Sequence, residues 1–66
     1  MKIVLDGEPE QVADGLTVAG LLDARGEPPR HVLVEVNGEL VRQSELERRV
    51  LREGDRVEII LPAFGG

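Results

Sequence analysis

His31-Val32-Leu33-Val34-Glu35-Val36-Asn37-Gly38-Glu39-Leu40-Val41 decides the fold of this 66-residue chain. Val32, Val34 and Val36 recur with the period of two that puts alternate side chains on one face of a strand, leaving Leu33 and Glu35 on the other. Asn37-Gly38 is the most informative short hairpin turn, because a two-residue type I′ turn needs φ > 0 at both central positions and these residues tolerate it. Glu39-Leu40-Val41 then runs back. The stretch predicts an antiparallel hairpin with one face made of valine, and a face of that kind has to be covered.

Toward the N-terminus the sequence supplies the cover. Thr17 is placed to cap a short helix over Val18-Ala19-Gly20-Leu21-Leu22-Asp23-Ala24-Arg25, whose Val18, Leu21 and Leu22 share one face by their i, i+3, i+4 spacing. Gly26 ends it, Arg25 suits the negative end of its dipole, and Pro28-Pro29 forbids continuation. So short a helix is not stable alone and must lie on a sheet. Gly20 costs it roughly 1 kcal/mol relative to Ala. Before the helix, Ile3-Val4-Leu5, the turn Asp6-Gly7 and the return Glu8 to Val12 read as another hairpin, with Pro9 assigning the return to a sheet edge. Beyond Val41, Ser44-Glu45-Leu46-Glu47 matches a capping box and predicts a helical turn over 44–49. Arg52-Glu53-Gly54-Asp55 reads as a turn. Arg56 to Leu61 reads as a last strand with Val57, Ile59 and Leu61 inward and Ile60 outward. The expected order, β-β-α-β-β-(turn)-β, gives an α+β domain: a sheet of four or five strands with one helix across one face.

Composition bounds what such a domain does. The net charge of -5, from 8 basic and 13 acidic residues, and the single aromatic Phe64 argue against nucleic acid. The absence of cysteine excludes a disulfide scaffold, a thiolate zinc site and a cysteine nucleophile. No apolar run approaches the ~20 residues of a membrane span, so no membrane association is expected and the expected location is the cytoplasm. No catalytic constellation emerges either. His31 is the sole imidazole, the carboxylates are scattered among arginines, and neither calcium-loop nor phosphate-loop spacing occurs. Hence no catalytic residue, no metal site and no bound cofactor are expected. Arg48, Arg49, Arg52 and Arg56 are interleaved with Glu45, Glu47, Glu53, Asp55 and Glu58, which reads as a solvated face with little net field.

The C-terminal segment differs in kind. From Ile59 to Gly66 no side chain is charged, in a chain where 32% of residues are. Residues 1–61 are expected to form one domain, and 62–66 a flexible tail closing on Gly65-Gly66. Two glycines without Cβ atoms let a backbone lie extended in a channel too narrow for other residues, and they leave a terminal carboxylate sterically open. A carboxylate is inert to nucleophiles until it becomes an acyl derivative with a good leaving group such as AMP. Phe64 beside those glycines reads as an anchor for a partner's groove. A frayed terminus is the competing reading.

With these residues in view, the chain resembles the ubiquitin-like sulfur carriers of the ThiS/MoaD family over essentially its whole length, and most closely the thiamin-pathway branch. Lys2-Ile3-Val4-Leu5-Asp6-Gly7-Glu8, Leu16 to Leu22, Val36-Asn37-Gly38-Glu39-Leu40-Val41, Leu51 to Ile60 and terminal Gly65-Gly66 carry the resemblance. It implies a β-grasp fold and no enzymatic activity of the chain's own. It also implies an E1-like adenylating enzyme that uses ATP on the carboxylate of Gly66, a sulfur donor (a cysteine desulfurase or its persulfide) that displaces AMP, and a C-terminal thiocarboxylate. The acceptor would be thiazole synthase. Arg42-Gln43 and Pro62 depart from the usual thiamin-branch pattern, so the small subunit of molybdopterin synthase and a tRNA-thiolation carrier stay open as alternatives. A protein modifier joined to lysines and a plain docking module stay open too. By position, Gly66 carries the sulfur, Gly65 gives backbone clearance, and Phe64, Ala63 and Pro62 are read by the partner. Val4, Leu33 and Ile60, rimmed by Arg56 and Glu58, are the candidate apolar members of a docking face on the outer side of the sheet. The free chain is expected to be a monomer.

Overall fold

The computed structural model describes residues 1–62. Its strands are β1 (Lys2–Leu5), β2 (Glu8–Gln11), β3 (Leu33–Val36), β4 (Glu39–Val41) and β5 (Arg56–Ile60), and its helix is α1 (Val18–Ala24). Two hairpins supply four strands. Asp6 and Gly7 have φ of 49° and 83°, and Asn37 and Gly38 have φ of 54° and 85°, so both turns are of the primed kind whose twist matches paired strands. The turns set the register: Leu5 faces Glu8, and Val36 faces Glu39. The last strand enters between the hairpins, which gives the sheet order β2-β1-β5-β3-β4. It runs parallel to β1, with Val4 opposite Arg56, and antiparallel to β3, with Leu33 opposite Ile60 and Val36 opposite Val57. Pro9 falls on β2, whose outer side has no partner strand and tolerates a residue without an N–H.

One face of this sheet is the core. Ile3 and Leu5, Val34 and Val36, Val41 and Val57 point to it, with Val32 beside them. They meet Val18, Leu21 and Leu22 of α1, and Leu46 and Leu51 close the remaining side. Thr17 is extended and its Oγ1 accepts the Gly20 N–H at 3.0 Å. The Val18 and Ala19 N–H groups donate to the carbonyls of Arg49 and Leu46 at 2.9 and 2.8 Å. The start of the helix is therefore tied to a loop more than 25 residues away. At its other end Gly26, at φ 69°, donates to Asp23 and Glu27 donates to Leu22, a Schellman closure that requires the left-handed conformation at Gly26. A Cβ at Gly20 would meet Leu16 Cδ1 at 2.8 Å, the end of a half-buried side chain able to move aside.

Three local expectations differ from the structure. The capping box at Ser44 does not form. The helical turn itself forms, beginning one residue earlier: Gln43–Glu45 make a 3₁₀ turn with no side-chain cap from Arg42, and it continues to Arg49, whose N–H donates to the Glu45 carbonyl at 2.8 Å. The Leu46 and Arg49 carbonyls at the end of this segment, which a short helix leaves without an internal donor, instead receive the Ala19 and Val18 N–H groups. His31 ends a 3₁₀ turn over Pro29–His31 rather than opening a strand, as Pro at the first helical position favours. Leu61 is 68% exposed and not inward, because β1 has ended and Ile60 is the last residue paired with β3.

Candidate functional site

The last strand, β5, lies in the middle of the sheet, and both neighbours end close to the same level. On one side β1 stops at Leu5 and the chain turns at Asp6-Gly7; on the other, β3 begins at Leu33 opposite Ile60. Where β1 has turned away, the Asp6 side chain takes over its role. Asp6 Oδ1 accepts the Ile59 N–H at 2.9 Å, while the Asp6 backbone N–H donates to the Val57 carbonyl at 2.9 Å. Leu61 then borders a shallow depression with Asp6, Arg25, Glu27 and Ile59. Pro62, half-buried, borders a more apolar one with Arg30, Val32, Leu33 and Gln43. Ala63, Phe64, Gly65 and Gly66 lie outside the described residues.

The outer face of the sheet brings together only part of the expected docking surface. Leu33 and Ile60 are direct cross-strand partners, one 44% exposed and the other half-buried. Val4 is half-buried and stands opposite Arg56. Four residues along β5 separate that level from Ile60, which at strand rise is about 13 Å. Between them Glu58 sits opposite Glu35, a like-charge pair that breaks the apolar surface in two. The apolar half at the end of β5 is therefore Leu33, Ile60 and Pro62. Leu40, exposed beside Glu35 on β4, extends the same face at its edge and went unnoticed in the sequence.

Little else among the described residues offers chemistry. His31 is exposed, and no three His, Asp or Glu side chains gather where a metal ion would be held. Arg48, Arg52 and Arg56 are exposed, Arg49 is half-buried, and none of the four forms an ion pair with a described carboxylate. No helix of the described residues is long and apolar enough to cross a membrane.

Asp55 is the polar group whose placement most clearly escaped sequence reasoning. It is only 9% exposed, and its Oδ2 accepts the Arg52 N–H at 2.8 Å while Oδ1 accepts Asn37 Nδ2 at 3.0 Å. Asn37 Oδ1 in turn accepts the Arg56 N–H at 2.9 Å. The turn before β5 and the β3–β4 turn are thus pinned to each other.

A mixed five-stranded sheet with one helix across it, both hairpins flanking a central last strand, is the β-grasp architecture of ubiquitin-like proteins. The crystal structure of the thiamine biosynthesis protein ThiS from Geobacter metallireducens matches with a TM-score of 0.88 and 32% identity, over 100% of both chains. The solution structure of the thiamine biosynthesis protein from that organism matches at 0.78, with 32% identity, over 100% of this chain and 86% of that one. Residues 3–66 match the model of the ThiS family, and the chain belongs to that family of ubiquitin-like sulfur carriers. Two longer relatives align with all of this chain: thiazole synthases of Magnetococcus marinus, 39% identical, and of Paramagnetospirillum magneticum, 36% identical. This chain spans about a fifth of their length, 20% in each case.

Proposed function

We propose that the protein carries sulfur for the formation of the thiazole ring of thiamin. With Gly66 as the terminal residue, an E1-like enzyme joins its carboxylate to the AMP of ATP and releases pyrophosphate. The donor's persulfide then displaces AMP to form an acyl disulfide, a second thiol cleaves its S–S bond to give a disulfide and the free thiocarboxylate, and thiazole synthase takes the sulfur from that thiocarboxylate. The carrier supplies a handle and an acyl terminus; the nucleotide site and the nucleophile sit on its partners. Residues 1–61 form the folded handle and 62–66 the tail, with Gly65 giving clearance and Phe64, Ala63 and Pro62 read by the partner's channel. No cofactor is bound by the chain itself, and it works in the cytoplasm.

The observation that carries this reading is the family match, which runs through Gly65-Gly66 and covers nearly the whole chain. The thiamin branch is supported over molybdopterin synthesis and tRNA thiolation by the relatives. Both longer ones are thiazole synthases, and both matched structures are thiamine biosynthesis proteins. The apolar half of the outer face, Leu33 and Ile60 beside Pro62, is the surface we assign to docking, since it adjoins the base of the tail.

Intact mass spectrometry tests the chemistry. The chain is incubated with ATP, an E1-like enzyme of the same source and a sulfur donor. Replacement of one oxygen by sulfur, abolished by deleting Gly66, is the expected result. An unmodified mass, with the enzyme competent on another carrier, overturns the proposal. Adding a thiazole synthase and following loss of the sulfur then tests the acceptor.

A further inference from the structure

We infer that Asp6 is a positioning residue for the reactive tail, an inference that rests on the sulfur-carrier reading. In a parallel pair the Ile59 N–H would go to a backbone carbonyl of the neighbouring strand. That strand has already turned back at Asp6-Gly7, and the Asp6 carboxylate, 53 residues away in sequence, accepts the N–H instead at 2.9 Å. Among the described residues this is the last hydrogen bond on the β1 side of β5 before the tail. Ile60, next in the chain, is paired only with Leu33 on the β3 side, and Leu61 beyond it is exposed and has no strand beside it. Asp6 thus holds the β1 side of the end of β5, as the pairing of Ile60 with Leu33 holds the β3 side, and the two together set the direction in which the chain leaves the sheet.

Without the Asp6 bond the end of β5 is held only on its β3 side, by the pairing of Val34 with Ile59 and of Leu33 with Ile60, so it pivots more freely and a smaller share of orientations suits a partner's channel. Once the tail is inside, the chemistry is unaffected. The signature is therefore a higher KM for the carrier with an unchanged kcat.

Asp6 occupies a left-handed position, φ 49°, which dictates the variants. Asp6→Gly keeps that conformation without strain and removes the acceptor, whereas Asp6→Asn keeps both. Asn37→Gly is the control, since it removes the analogous side-chain bond to the Arg56 N–H at the opposite end of β5, together with the bond to Asp55, without touching Ile59. Two measurements are made on each full-length chain: amide hydrogen exchange at Ile59 by NMR, and pyrophosphate release by the E1-like enzyme with ATP at varied carrier concentration. The expected result for Asp6→Gly is roughly tenfold faster exchange at Ile59 and a rise in KM of similar order, as befits the loss of a bond to a charged acceptor. In Asp6→Asn and Asn37→Gly, Ile59 exchange and KM stay near wild type. Unchanged exchange or an unchanged KM in Asp6→Gly overturns the assignment, as does an equal rise in KM in Asn37→Gly. Failure of the wild-type chain to support pyrophosphate release refutes the sulfur-carrier reading instead, and the Ile59 exchange then decides whether Asp6 holds the strand.

Discussion

Replacing Asp55 with Asn changes one atom and is expected to cost most of what Asp55→Ala costs. The carboxylate serves two donors that cannot turn elsewhere: the Arg52 backbone N–H at 2.8 Å and Asn37 Nδ2 at 3.0 Å. Asn37 cannot flip to offer its oxygen, because that oxygen already holds the Arg56 N–H at 2.9 Å. An amide at position 55 therefore satisfies one donor and sets its own NH₂ against the other. Bonds to charged groups contribute about 1.5–3 kcal/mol each, with the Asn37 term at the low end because Asn37 is exposed and water replaces part of it. About 3 kcal/mol is expected for Asp55→Ala and about 2 kcal/mol for Asp55→Asn. Both are large fractions of the ~3–10 kcal/mol available to a chain of this size. The chain has no Trp or Tyr, so urea unfolding is followed by far-UV circular dichroism. With an m-value near the low end for small proteins, about 1 kcal/mol/M, the midpoint falls by roughly 2–3 M. A double-mutant cycle with Asn37→Ala is expected to show coupling of about 1 kcal/mol between the two side chains. An Asp55→Asn protein within about 0.5 kcal/mol of wild type, below the usual range for a buried-network change, refutes the reasoning.

Leu22 has no exposed surface beneath the helix, so Leu22→Ala should lower unfolding free energy by about 2–5 kcal/mol in the same assay. Thr17→Ala should cost about 1 kcal/mol, because it strips one donor's partner while the tertiary bonds to Val18 and Ala19 remain. Ile60→Asp should weaken activation by the E1-like enzyme, measured as pyrophosphate release, while Val4→Asp, about 13 Å away across the Glu35–Glu58 pair, leaves it near wild type. Equal losses in the two variants would mean that the docking face is continuous after all.

Much of the fold is legible in the sequence because its signals are local. Asp6-Gly7 and Asn37-Gly38 dictate hairpins through the φ > 0 that their turns need, and both turns have it. Thr17 and Gly26 bound a helix by backbone chemistry within one turn of each. Alternation of Val32, Val34 and Val36 names the buried face before any partner is known. Ser44 shows the limit of such reasoning. Its capping box is as good a local signal as Thr17, but the turn there opens one residue earlier, at Gln43, and Ser44 makes no capping bond.

What the sequence by itself determined is the list of elements, the inward faces of the hairpins and the uncharged segment ending in Gly65-Gly66. Only the tertiary structure decided that the last strand enters between the hairpins, parallel to β1, so that β5 ends in the middle of the sheet. It also decided that Leu33 joins Ile60 while Val4 stands apart, and that Asp6 and Asp55 hold strand and turn in place. The physical reason is range. Turn conformations and caps are fixed by the few residues that make them, whereas the Ile59 N–H meets an acceptor 53 positions away, and no local pattern encodes which carboxylate the folded chain will bring to it.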